Sequence, residues 1–146
     1  MVELLFVLAL IGILVAVAAP AVKGPGQRHN LEIAARTMAT EMRKAQQRAI
    51  TAGRGQIIEF RVDDRYRVID GKTQETYFIY LPEGVSYQGV NFPFSGSVRF
   101  LRYNYNGSPS SGGTVVLENN FGEVIYVIVT PATGRVRVSN DPPDHW

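Results

Sequence analysis

Met1 to Val22, MVELLFVLALIGILVAVAAPAV, is the stretch from which the rest of the chain is read. Leu4 to Val22 carries no charge, and the one acidic residue beside it is Glu3. At about 1.5 Å of rise per residue, Leu4 to Val22 makes a helix just short of the roughly 30 Å hydrocarbon core of a bilayer. A secretory signal opens on Lys or Arg and has a shorter apolar core. This segment opens on an acid and runs directly into more chain, so it reads as retained in the working protein. A carboxylate at the edge of such a segment is expensive in lipid unless it meets a cation. Glu3 is therefore a candidate functional residue, with an ordinary interfacial glutamate as the bland alternative.

Working outward, Pro20 and Lys23-Gly24-Pro25-Gly26 predict a kink or local melting of the helix, because proline lacks an amide hydrogen and disfavours helix just before it. From Asn30, read as an N-cap, apolar residues recur as Leu31, Ala35, Met38, Met42, Ala45 and Ala49, in alternating steps of four and three. That spacing predicts an amphipathic helix ending near Ala52-Gly53. Its other face carries Arg36, Arg43, Lys44 and Arg48, read as a solvated or subunit-facing surface, and Glu32 to Arg36 is spaced for an i,i+4 pair.

After Gly55 the period changes to two. Ile58, Phe60 and Val62 alternate with Ile57, Glu59 and Arg61, and after Asp63-Asp64 the alternation resumes at Tyr66 and Val68, predicting a hairpin packed on the helix seam. Further strands are expected at Thr76 to Leu81, Val85 to Tyr87 and Val98 to Leu101, with Asn91 to Gly96 as turn. Asn104 to Gly113, NYNGSPSSGG, is a loop by composition and the candidate for the most exposed part of the domain. Thr114 to Glu118, Glu123 to Thr130 and Arg135 to Ser139, separated by Asn119-Asn120-Phe121-Gly122 and Pro131-Ala132-Thr133-Gly134, predict a three-stranded meander. Val124 to Val129 is apolar at every position and is expected to be covered on both faces. Val136 and Val138 should face in, with Arg135 and Arg137 facing out. The Pro142-Pro143 tail cannot continue a sheet, and Trp146 reads as a free end or a plug on a neighbour.

Of 146 residues, about 120 lie beyond the apolar segment, enough for one domain with its own core. The expected organisation is an apolar transmembrane or filament-core helix over 1–22, its amphipathic continuation over 23–53 after the Gly/Pro break, and a β domain over 54–146. The fold class is α+β, a long N-terminal helix on an antiparallel domain of two small sheets. A formal net charge of +2 is too mild for an obligate nucleic-acid binder, and the absence of cysteine excludes disulfides, thiolate metal sites and cysteine nucleophiles. His29 and His145 are far apart in sequence, so no metal pair is expected. No nucleophile elbow, P-loop, dinucleotide fingerprint or calcium loop is present, and Asp63-Asp64 suits a turn. Neither a catalytic residue, a metal nor a cofactor is expected. Arg99 and Arg102 beside Tyr103 and Tyr105, together with Arg135 and Arg137, are candidate nucleic-acid contacts. Alternating Tyr and Arg is equally what a strand with one wet face carries.

The N-terminal residues Met1-Val2-Glu3-Leu4-Leu5, Val7 to Leu14 and Pro20 resemble the type IV pilin superfamily. Its mature subunits begin with an aromatic residue, a small polar residue and an apolar helix carrying one glutamate near its start. Ala35 to Ile50, Asn106-Gly107 to Thr114, and Pro131-Ala132-Thr133-Gly134-Arg135-Val136 are similar to the H-type pseudopilin branch. The resemblance implies that Glu3 neutralises the N-terminal amine of a neighbouring subunit and that the region from Gly12 through Pro20 and Gly24, Pro25 and Gly26 melts and stretches. It also implies a prepilin peptidase, N-methylation and a pilus or secretion assembly machinery. The expected function is a non-enzymatic subunit that polymerises with identical copies into a type IV pilus-like filament. Such a subunit resides in the cytoplasmic membrane before assembly and in a surface or periplasm-spanning fibre afterwards. The alternatives are a low-copy minor pseudopilin of type II secretion and a DNA-binding minor pilin of a competence pilus, with DNA secondary to self-assembly. A solitary membrane-anchored domain is a further alternative.

Overall fold

The computed structural model describes residues 2–18 and 23–143. Helix α1 runs Val2–Ala18 and helix α2 Lys23–Ala52. Nine strands follow: β1 Gln56–Arg61, β2 Arg65–Asp70, β3 Thr76–Tyr80, β4 Val85–Val90, β5 Phe94–Ser95, β6 Val98–Tyr103, β7 Gly113–Asn119, β8 Val124–Val129 and β9 Val136–Ser139. The expected kink at Pro20 and the docking of Trp146 fall outside the described residues.

Helix α2 carries the seam the spacing predicts: Leu31, Ala35, Met38, Met42, Ala45 and Ala49 are all buried. Each large apolar side chain removed from water in this way contributes about 1.5–3 kcal/mol. Its start differs from expectation. The helix begins at Lys23, so Gly24, Pro25 and Gly26 lie in its first turn and Asn30 lies inside it rather than capping it. A proline in the first turn has no intrahelical acceptor for the N–H it lacks, so it starts a helix as readily as it breaks one. The amide of Asn30 instead donates to the carbonyl of Glu83. Glu32 pairs backward with Arg28 at 3.6 Å rather than forward with Arg36. At the far end Gly53 takes a φ of +60°, and the Arg54 N–H reaches back to the Ala49 carbonyl, closing the helix as a left-handed C-cap does.

The strands form two antiparallel sheets, one of five in the order β3-β2-β1-β6-β5 and one of four in the order β4-β7-β8-β9. Helix α2 lies against β1 and β6 of the first and against β4, β7, β8 and β9 of the second, so one helix seam closes the core of both. Where the sheets approach, Phe60 stacks on Phe92 at 5.4 Å and meets Tyr87 edge-on at 6.4 Å.

Four further expectations are corrected. Val62 is not a strand residue: it tops the β1–β2 turn, 96% exposed, with Asp64 at a φ of 52° that short polar side chains tolerate. Strand β5 lies in the stretch read as turn. Strand β8 is central in the meander, but only Ile125, Val127 and Val129 are buried, and their neighbours are half-buried. Strand β7 is the one covered on both faces, with Thr114, Val115, Val116 and Leu117 all buried. Residues 104–113 are not a free loop. Tyr103 bridges to Pro109, the Ser110 N–H donates to the Arg102 carbonyl, and Gly107 and Pro109 are buried.

Candidate assembly helix and basic trough

The described side chains of α1 between Val2 and Ile13 are all exposed, with Val2 at 82%, Phe6 at 69% and Ile13 at 65%. The 17 residues from Val2 to Ala18 include one polar side chain, Glu3, so the helix has no wet face. An α-helix that is apolar all round belongs inside something. None of its described side chains is covered by the β domain. No helix among the described residues is long and apolar enough to cross a membrane. Glu3 is exposed, and Gly12 has open space where a Cβ would stand.

The four candidate arginines do not form one patch. On β6 Leu101 and Tyr103 face the core, so Arg99 shares their inward face and Arg102 points the opposite way. Arg99 Nη1 donates to the Phe92 carbonyl at 2.7 Å, and its guanidinium lies 3.9 Å from the centre of the Phe94 ring. Arg102 lies over Phe100 at 5.7 Å. Arg135 and Arg137 belong to the other sheet, where they line a trough with Arg36 and Arg43 of α2. Tyr103, read with Tyr105 as part of an aromatic patch, is fully buried, and burial pushes its hydroxyl well above the usual phenol range. Tyr105 remains exposed.

The frame around that trough is held by α2. Arg43 Nη2 donates to the Val136 carbonyl at 2.9 Å, and Gln46 Nε2 donates to the carbonyls of Gly107 at 2.8 Å and Thr133 at 3.2 Å. Two turns distant in sequence are thus pinned to one glutamine. Gly134, at a φ of +67°, sits so close that an added Cβ would stand 2.6 Å from Gln46 Nε2.

Two solved structures superpose on this architecture. The minor pseudopilin EpsH from the type 2 secretion system of Vibrio cholerae superposes with a TM-score of 0.61 at 15% identity, covering 75% of this chain and 96% of that one. The type IV minor pilin FimU of Pseudomonas aeruginosa strain PAO1 superposes with a TM-score of 0.57 at 13% identity, covering 79% of this chain and 90% of that one. This is the pilin fold. Comparison of the sequence with protein families and with curated proteins gives no match.

Within this pilin fold the sequence pointed to Glu3, Gly12, Arg135 and Arg137 but missed Arg36, Arg43 and Gln46 as trough and frame residues. Arg36 and Arg43 read as the wet face of a helix, and nothing local tells that a strand more than 90 residues later lies against them or that Gln46 meets the turns at Gly107 and Thr133. The one available signal was the excess of arginine over acid on that face. Among the described residues no cluster of three or more His, Asp or Glu is placed to hold a metal ion.

Proposed function

We propose that this chain is a non-enzymatic structural subunit that polymerises through α1 into a type IV pilus-like filament. The observation that carries the reading is the bare α1: a helix without a polar face and without cover from its own domain. In water, that surface would be costly. Parallel α1 helices of successive subunits, stacked head to tail with the β domains outside, would cover it without closing into a ring. Before assembly the same helix would rest in the cytoplasmic membrane; afterwards the fibre would stand at the surface or span the periplasm. A prepilin peptidase, N-methylation and an assembly machinery of the pilus or secretion kind belong to the same proposal.

Glu3 is assigned the register role. A lone carboxylate in a dry bundle costs several kcal/mol, and pairing with the amine of a neighbour removes that cost only at one axial offset. Gly12, Pro20, Gly24, Pro25 and Gly26 are assigned to the stretch of helix that extends during packing. The test is to replace Glu3 by Gln in cells that assemble the chain and to count sheared filaments by electron microscopy. Loss of filaments at unchanged protein level supports the register role; unchanged filament number and helical symmetry would remove it.

A low-copy place in such a filament is favoured over the main fibre subunit by the two solved neighbours, a minor pseudopilin and a minor pilin. Immunogold labelling distinguishes them: sparse or terminal label marks a minor subunit, continuous label the main one.

A further inference from the structure

Between α2 and β9 lies a trough of about 650 Å³, walled on the helix side by Arg36, Ala39, Thr40 and Arg43 and on the other by β9 with its flanking residues Arg135 and Asn140. Three features of it converge.

The first is an open edge. Strand β9 ends its sheet, so one side of its backbone has no strand beside it. The Arg135 carbonyl accepts from the Thr130 N–H, and Arg137 lies opposite Ile128. In an antiparallel ladder alternate residues turn their main-chain groups toward and away from the partner. Val136 and Val138 therefore face away from β8, and the Val136 carbonyl does meet Arg43 there. Among the described residues, the Val136 N–H and both main-chain groups of Val138 meet no hydrogen-bond partner on that side.

The second is the shape of the facing wall. Ala39 and Thr40 are short side chains, and the two guanidiniums of α2 stand about one turn to either side of them. The arrangement leaves a slot with a β edge for one wall and a low helical floor for the other.

The third is charge. Arg36, Arg43, Arg135 and Arg137 line the trough and no carboxylate does. All four are exposed, and among the described residues the side chains of Arg36, Arg135 and Arg137 form no hydrogen bond or ion pair. The acid next in sequence, Asp141, bonds through its backbone N–H to Ser139 Oγ.

We infer that this trough takes an extended, carboxylate-bearing segment of another protein, added to β9 as a fifth strand of its sheet. Strand addition supplies main-chain hydrogen bonds, and the arginines select acidic side chains at alternate positions. Arg43 occupies the Val136 carbonyl and so marks one end of the pairing, which runs from the Val138 N–H toward Asn140. A second copy paired through its own β9 is disfavoured, because it would set two rows of arginine side by side. A nucleic acid would satisfy the guanidiniums through phosphate but would leave the open edge unused. The inference stands apart from filament formation, since it uses neither α1 nor Glu3.

The test uses the full chain in detergent micelles and a fluorescent short peptide alternating Asp with Val. A Lys-for-Asp version of the peptide and single- and double-stranded DNA oligonucleotides serve as the other arms. The Asp peptide should bind and the Lys peptide should not. The pair Arg135→Ala and Arg137→Ala should weaken binding at least about tenfold, and Val138→Pro, which changes no charge, should weaken it comparably. In the unsubstituted protein, exchange of the Val138 amide hydrogen should slow on adding the peptide, a readout independent of whether the proline variant folds. No binding of the Asp peptide would overturn the inference. So would binding that leaves the Val138 amide unprotected, since attraction by charge alone would then suffice. DNA bound more tightly than the peptide would overturn it in favour of a phosphate-binding groove.

Discussion

Arg43, in the C-terminal half of α2, donates a 2.9 Å hydrogen bond to the carbonyl of Val136, the first residue of the edge strand β9. A charged donor thus takes an edge acceptor that would otherwise face water, and helix and sheet edge are tied at one point. Because Arg43 is exposed, its contribution falls below that of a buried charged hydrogen bond, to about 1 kcal/mol. Arg43→Ala should lower the unfolding free energy measured in urea by that amount and speed amide exchange in β9 more than in β1.

Gly134 tests the other tie of α2 to this region. Its positive φ costs a residue with a Cβ about 1–2 kcal/mol, and the added carbon would meet Gln46 Nε2 at 2.6 Å. Gly134→Ala should therefore destabilise the domain by about 2 kcal/mol in chemical unfolding. Gln46→Ala should cost less, because two carbonyls near the surface can turn to water.

Acid should weaken the fold through Asp70. Its carboxylate accepts from the backbone N–H of Thr73 and Lys72 at 3.0 Å each and from Gln56 Nε2 at 2.9 Å, and Arg54 Nε stands 3.0 Å away. These donors, Thr73 first, hold its pKa well below the usual carboxylate range. A depressed folded-state pKa gives stability that is complete above the unfolded value, near 3.9, and is lost as pH falls below it. Unfolding free energy measured from neutral pH down through that range should fall, and Asp70→Asn should flatten the fall without abolishing it. Glu123 and Asp63 are depressed as well, by hydrogen bonds and ion pairs with Asn119 and Arg28 and with Arg65.

The shared core hangs on two methionines of α2 that are fully buried, Met38 and Met42. Met42→Ala should cost about 2–5 kcal/mol and Met42→Leu less than about 1.5, because the second nearly conserves volume. Thermal unfolding should keep one transition in the Leu variant, since the same seam serves both sheets.

What the sequence disclosed followed from period. The step of three and four from Leu31 to Ala49 and the alternation of Ile58 and Phe60 are local, and both survive in the fold. The start of α2 was misread because a proline at Pro25 carries the same local signal whether it ends a helix or begins one. The double cover of β7 was hidden because Val115 and Leu117 face α2 while Thr114 and Val116 are covered from the other side, a tertiary fact with no period of its own. The trough was half legible: Arg135 and Arg137 stood out, but Arg36 and Arg43 reach them only through the packing of α2 on β9.

The central claim is that α1 is buried between subunits of a fibre, and the lack of native cysteine permits a direct reading of it. Leu10→Cys places a thiol on α1, and Val62→Cys, at the exposed tip of the β1–β2 turn, serves as reference. Each variant is treated with a water-soluble maleimide as chain dissolved in concentrated guanidinium chloride and as sheared filament. The account predicts that Leu10→Cys is labelled in the dissolved chain and protected in the filament, while Val62→Cys is labelled in both. Equal labelling of the two cysteines in sheared material would contradict it.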